Sequence, residues 1–177
     1  MDRVCHSKRL VGAAAASLML IAWSALAAIA GPPRVVDGDT LEVAGQRVRL
    51  LGVDAPELDQ VCQHGGHDYD CGKVARATLW DLVGGLDVSC GPEGAPAARD
   101  GIVLATCKAG GISLNEAMVR SGWALADPHA GERYSAIQAD AEQARRGLWR
   151  GAFEPPWQWR QALAGGPPGP DDGASAR

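Results

Sequence analysis

Past residue 30 the chain has no apolar run long enough to cross a bilayer as a helix. No segment recurs at a fixed period, which excludes solenoids and propellers. Basic residues do not dominate: 17 Lys+Arg stand against 21 Asp+Glu, a formal charge of −4. That balance excludes a broad cationic face that clings to nucleic acid, but it leaves room for a local cationic patch. Aromatics other than tryptophan are scarce, with one Phe and two Tyr beside six Trp. Base stacking would fall to the tryptophans, whose more ordinary use is packing. The 177 residues suffice for one domain around one core.

The first thirty residues differ from the rest. Arg3, Lys8 and Arg9 make a basic start, and residues 10–29 are almost wholly apolar or small. Ala25-Leu26-Ala27 and Ala28-Ile29-Ala30 each offer a small-x-small cleavage site. This is the pattern of a secretory signal peptide over 1–30. About twenty apolar residues can also act as an uncleaved anchor, but the alanine-rich end without flanking charge favours the signal. An exported protein, periplasmic or secreted, is expected, with no stable membrane partner once the signal is cut. Without residues 1–30 the chain holds 14 Lys+Arg and 20 Asp+Glu, a charge of −6.

Cys5 leaves with the signal, and Cys62, Cys71, Cys90 and Cys107 remain. An even count in an exported chain reads as two disulfides, for which three pairings exist. Cys62–Cys71 and Cys90–Cys107 are preferred: the first closes one loop, and the second joins two expected neighbouring strands. A rival reading takes Cys62, His64, His67 and Cys71 as a zinc site. Export and the Gly65-Gly66 pair favour a disulfide-closed loop with solvated histidines.

The apolar pattern predicts strands over 40–43 and 47–53, joined by a turn at 44–46. In the second strand Val48 and Leu50 face one way while Arg47, Arg49 and Leu51 face the other. A polar loop is expected over 58–70 and a helix over 72–83, stopped by Gly84-Gly85. Strands follow over 86–90 and 102–109. Ser113 and Glu116 form a capping box for a helix ended by Gly122. A short strand over 123–126 and a longer helix over 132–149 complete the domain. Arg145-Arg146 reads as a favourable helix end rather than a nucleic-acid patch. The run 155–159 should pack back on the domain, and the tail lacks any apolar pattern. The domain is taken as 31–160 and a disordered tail as 161–177. Short strands with helices at their margins fit a small, partly open β-barrel with helices.

Around the first hairpin the sequence crowds acids and arginines: Asp37, Asp39, Asp54 and Glu57, with Arg47 and Arg49 between them. Asp37 reads as a turn former. The segments Val36-Asp37-Gly38-Asp39-Thr40 and Arg49-Leu50-Leu51-Gly52-Val53-Asp54-Ala55-Pro56-Glu57, with Asn115-Glu116-Ala117-Met118-Val119-Arg120-Ser121-Gly122-Trp123-Ala124, resemble the thermonuclease (micrococcal nuclease-like) family in order and spacing. The resemblance covers about residues 34–150. It implies an α+β fold, a five-stranded OB-fold Greek-key barrel with about three helices. It also implies a phosphodiester hydrolase, a calcium-dependent endonuclease acting on single-stranded DNA or RNA, and expected here as a monomer.

Carried over by position, Asp39 and Asp54 match calcium carboxylates, and Ala55 a main-chain carbonyl ligand. Glu57 matches the general base and Arg49 a phosphate-binding arginine. Ca2+ takes oxygen ligands in irregular shells, and a planar guanidinium suits two phosphate oxygens. One departure is plain. The family's second catalytic arginine falls on Ile102, which weakens the expected activity, and Arg99 is the nearby substitute for that phosphate contact. The alternative that follows from Ile102 is a non-catalytic OB-fold module that binds nucleic acid or protein.

Overall fold

The computed structural model describes residues 28–91 and 101–165. Arg99 and most of the expected signal therefore lie outside the described residues. The chain opens with β1 (Ile29–Gly31) and β2 (Pro33–Val35), followed by β3 (Thr40–Val43), β4 (Gln46–Leu50) and β5 (Val53–Asp54). A small hairpin, β6 (Cys62–His64) and β7 (His67–Tyr69), leads into helix α1 (Cys71–Val83). Next come β8 (Val88–Gly91), β9 (Ile102–Ala109), β10 (Ile112–Ser113), α2 (Leu114–Ser121) and β11 (Leu125–Ala126). Helices α3 (Ser135–Gln143) and α4 (Pro156–Leu163) finish the domain.

The main sheet is mixed, in the order β1-β8-β9-β4-β3-β2, with β10 added to β9. Strands β4 and β9 run parallel, and the other pairs are antiparallel. This is the α+β class expected of an OB-type domain, with four α-helices among the described residues where about three were expected. The register explains the core. Val43, Val48 and Leu50 alternate inward with Arg47 and Arg49 outward, and all three apolar residues are buried with Leu41 against Leu79, Leu114 and Met118. A second cluster gathers Cys62, Cys71, Leu125 and Leu148, with Trp123, Trp149, Phe153 and Trp157 packed against it.

Both disulfides form as expected. Cys90 and Cys107 are register partners on β8 and β9, and Cys62–Cys71 ties the β6–β7 hairpin to the first residue of α1. The sulfurs of the zinc reading are thereby used, and His64 instead meets the Arg150 carbonyl through Nδ1 at 3.0 Å.

Several expectations need correction. The polar loop over 58–70 contains the β6–β7 hairpin, turned by Gly65 and Gly66, both at positive φ. The long helix over 132–149 is cut to α3. Arg145 turns left-handed (φ 50°), and Gly147 lies so close to Gly122 that a Cβ there would meet the Gly122 oxygen at 2.4 Å. That approach lets the Leu148 amide donate to the Gly122 carbonyl, so the chain crosses α2's end and does not continue as a helix. The Arg145-Arg146 expectation holds in part: Arg146 donates to the Arg120 carbonyl at the end of α2. Trp80 is 62 % exposed and is not core. The expected tail boundary at 161 falls inside α4, which continues to Leu163.

Candidate phosphodiester site

Asp39 stands at the entry to β3. Its amide donates to Asp37 Oδ1 at 3.0 Å, so Asp37 shapes the turn that aims Asp39 inward. Gly38 makes the approach possible, because a Cβ there would meet the Ala55 and Ala75 methyls at 2.7 and 2.8 Å. The buried Asp39 carboxylate accepts from Thr40 Oγ1 at 2.8 Å and from the Ala55 amide at 3.1 Å. Ala55 thus sits beside Asp39 through its main chain.

Arg49 is the register partner of Thr40 on the neighbouring strand, which sets its guanidinium beside Asp39. Its Nε donates to Asp39 Oδ1 at 3.2 Å. Its Nη2 lies 3.3 Å from Asp39 Oδ2 and 3.5 Å from Asp54 Oδ1. Two carboxylates fifteen residues apart in sequence therefore meet at one nitrogen. Asp54 reaches this point because β5 pairs with β11, where Asp54 faces Leu125.

Glu57 follows on the next turn. Its amide donates to Gln60 Oε1 at 3.3 Å, and its carbonyl accepts from the Gln60 amide at 2.9 Å. Gly72 of α1 presses on that carbonyl: a Cβ there would lie 1.7 Å from the Glu57 oxygen. The fully buried Gln60 then donates through Nε2 to the Glu154 carbonyl at 2.7 Å, one residue before the prolines that start α4.

α4 delivers a group the sequence reading missed. Arg160 donates from Nη2 to Asp54 Oδ2 at 2.6 Å, from Nη1 to Asp54 Oδ1 at 3.0 Å, and from Nη1 to Glu57 Oε1 at 2.7 Å. The contact spans 106 residues of sequence. The only sequence signal was the aromatic run Pro155-Pro156-Trp157-Gln158-Trp159, expected to pack back on the domain. Arg160 follows it directly.

Three carboxylates thus face two guanidiniums, which leaves one negative charge unmatched. Burial pushes the Asp39 carboxyl up to about 6, with Arg49 pulling it back and Asp37 adding to the rise. Burial also raises Asp54, against the hydrogen bonds from Arg160. Arg49 loses by burial but gains more from Asp39 and Asp54, so its proton is held more firmly than usual. A cation beside these carboxylates would favour their ionised forms. The donors are hard oxygens suited to calcium. The described residues hold no cluster of three or more His, Cys, Asp or Glu placed to cage a metal. A cation here would draw on Asp39, Asp54 and the Ala55 carbonyl, with water and substrate oxygen filling the rest.

Arg49, Asp54 and Arg160 open onto a cleft of about 610 Å³ whose lining also includes Ile102, Leu104 and His129, while Asp39 and Glu57 lie behind these groups and do not line it. Ile102 and Leu104 alternate on β9, and Leu104 is the register partner of Arg49. The cleft wall at position 102 is therefore apolar, as the sequence reading had it.

The sequence profile described as staphylococcal nuclease homologue matches residues 47–151. Among curated proteins, the chain is 38 % identical over 149 residues to the succinoglycan biosynthesis protein ExoI of Rhizobium meliloti (strain 1021), covering 81 % of this chain and 77 % of that protein. It is 34 % identical over 153 residues to an uncharacterized endonuclease of Escherichia coli, covering 81 % of this chain and 93 % of the relative. A probable staphylococcal-like nuclease of Oryza sativa subsp. japonica, CAN2, shares 28 % identity over 118 residues, 65 % of this chain and 29 % of the rice protein. Asp39 and Arg160 flank the profile-matched segment on its two sides. With the profile matched over 47–151 and relatives 38 % and 34 % identical over 81 % of its length, the chain belongs to the staphylococcal nuclease family.

Proposed function

We propose that this protein is a calcium-dependent endonuclease that hydrolyses phosphodiester bonds in single-stranded DNA or RNA, exported as a monomer. The observation that carries the reading is the meeting of Asp39 and Asp54 at one nitrogen of Arg49, with Glu57 joined to Asp54 through Arg160. Asp39, Asp54 and the Ala55 carbonyl would hold the calcium ion. When bound, calcium polarises the phosphorus centre and offsets the negative charge that develops there.

The chain's own groups do the rest. Arg49 binds two phosphate oxygens through its planar fork and fixes the phosphorus near Glu57. The Glu57 carboxylate takes a proton from water as the water oxygen bonds to phosphorus. One P–O ester bond breaks, and the leaving oxygen is protonated from solvent. Apolar Ile102 and Leu104 limit water in the cleft, which strengthens each charge interaction.

The test is cleavage of a labelled single-stranded oligonucleotide with calcium and with chelator. Chelator should abolish cleavage. Glu57→Gln should lower turnover by about 10²–10⁴-fold, the usual worth of a positioned base. Cleavage that persists in chelator, or that Glu57→Gln leaves unchanged, would refute this mechanism. Binding of the oligonucleotide without any cleavage would favour the alternative that Ile102 motivates, a binding module that has lost turnover.

A further inference from the structure

We propose that Arg160 is the second phosphate-binding guanidinium of this site, supplied by the C-terminal helix α4 and not by the strand position that Ile102 occupies. The proposal rests on the nuclease reading above and names a residue outside the profile-matched segment, 47–151.

β9 supplies no cation to the cleft. Ile102 and Leu104 present hydrocarbon where β9 faces the cleft. Arg160 lines the same cleft as Arg49 and Ile102. Its side chain is 39 % exposed, close to the 36 % of Arg49, so both guanidiniums can be reached from solvent. A surface arginine on a helix would ordinarily lose its freedom to no purpose. Arg160 is not in that situation, because the N-terminal end of its helix is fixed and its guanidinium is held by two carboxylates. Gln60 ties the Glu57 turn to the Glu154 carbonyl, Pro156 starts α4, and Trp157 seats on the cluster around the Cys62–Cys71 bridge.

The guanidinium forks onto Asp54 and bridges to Glu57, so it engages one of the two carboxylates assigned to calcium. Calcium and this Arg160 pose compete for Asp54. A calcium ion on Asp54 would leave the Arg160 guanidinium, which already lines the cleft, available to a phosphate oxygen there. Arg160 therefore has two opposed effects: it weakens calcium binding in the resting protein and strengthens the hold on substrate phosphate in the working one.

That opposition gives the test a readout that a structural role would not move. Arg160→Gln and Arg160→Lys are compared with the wild-type full chain. Calcium binding without nucleic acid is measured by titration calorimetry, and cleavage of an octathymidylate is measured at saturating calcium. For Arg160→Gln the calcium dissociation constant should fall by about tenfold, while turnover falls by about 10²–10³-fold, the usual cost of losing a preorganised charge donor. Arg160→Lys keeps the charge and loses the fork, so its turnover should lie between the other two.

Turnover by Arg160→Gln within threefold of wild type would overturn the proposal and leave the nuclease reading standing. Weakened calcium binding together with weakened turnover would also overturn it, since that is the signature of a displaced helix. A wild-type protein that shows no calcium-dependent cleavage brings down the nuclease reading itself, and the phosphate role with it.

Discussion

At the scale of single residues, one glycine does more for this site than its small size suggests. Gly72 lies in the first turn of α1, where alanine should favour the helix by about 1 kcal/mol. The space argues the other way: a methyl group would sit 1.7 Å from the Glu57 carbonyl oxygen, and backbone cannot step aside as a flexible side chain would. The clash should win, with Gly72→Ala destabilising the protein by about 1–3 kcal/mol in a urea titration. Oligonucleotide cleavage should fall with it, because Glu57 is what moves. Unchanged stability would show that the turn has slack absent from the structure. Asn115 is a second residue whose identity matters more than its place in a motif. Fully buried, it accepts from the Cys107 amide at 3.0 Å and donates to the Leu51 carbonyl at 3.0 Å. It thereby pins the segment between Arg49 and Asp54 to β9. The resemblance quoted Asn115 within a segment, but nothing in a linear reading said that its amide faces inward.

At the scale of elements, the legible parts were those whose causes are local. The hairpin of β3 and β4 follows from strict alternation around Ala44-Gly45, and α1 and α2 from helical spacing ended by Gly84 and Gly122, both left-handed. The Ser113 half of the capping box forms, with the Glu116 amide donating to the Ser113 hydroxyl at 3.3 Å. The failures had distant causes. α3 stops early because a backbone contact between Gly122 and Gly147 redirects the chain, and no window of sequence contains both partners' geometry. The β6–β7 hairpin is only three residues a side, too short for alternation to announce. What holds that hairpin is the Cys62–Cys71 bridge, nine residues apart in sequence. Closing so short a loop is worth about 2–3 kcal/mol through the unfolded chain. The paired substitution Cys62→Ser with Cys71→Ser should lower unfolding free energy by about that amount. Because Trp157 packs on the same cluster, the loss should also loosen α4, read as faster proteolysis after Trp159 or Arg160. Stability unchanged in the double variant would mean that the bridge closes nothing the fold does not already close.

At the scale of the whole molecule, the candidate site was half visible. Asp39, Arg49, Asp54 and Glu57 lie within nineteen positions of sequence, and their convergence could be expected from two short segments. Arg160 could not, since it reaches Asp54 from 106 residues away on a helix whose docking depends on Gln60 and on aromatic packing. The same scale decides between the two cleavage sites near the N-terminus. β1 pairs Ile29 with Cys90, Ala30 with Ser89 and Gly31 with Val88, making one edge of the main sheet. A cut after Ala30 would remove two of the three paired residues, while a cut after Ala27 keeps the strand. A chain cut by a signal peptidase is therefore predicted to begin at Ala28, as intact mass or N-terminal sequencing would read. A chain beginning at Gly31 would count against a structural role for β1.

The position of α4 has a practical corollary for anyone who excises this domain. A fragment trimmed to the borders drawn by homology, 47–151, would discard Asp39 at one margin and Arg160 at the other. Even a gentler cut just before Pro155 would spare every strand of the sheet yet strip the pocket of a guanidinium. An assay on such a fragment would report the surgery and not the enzyme.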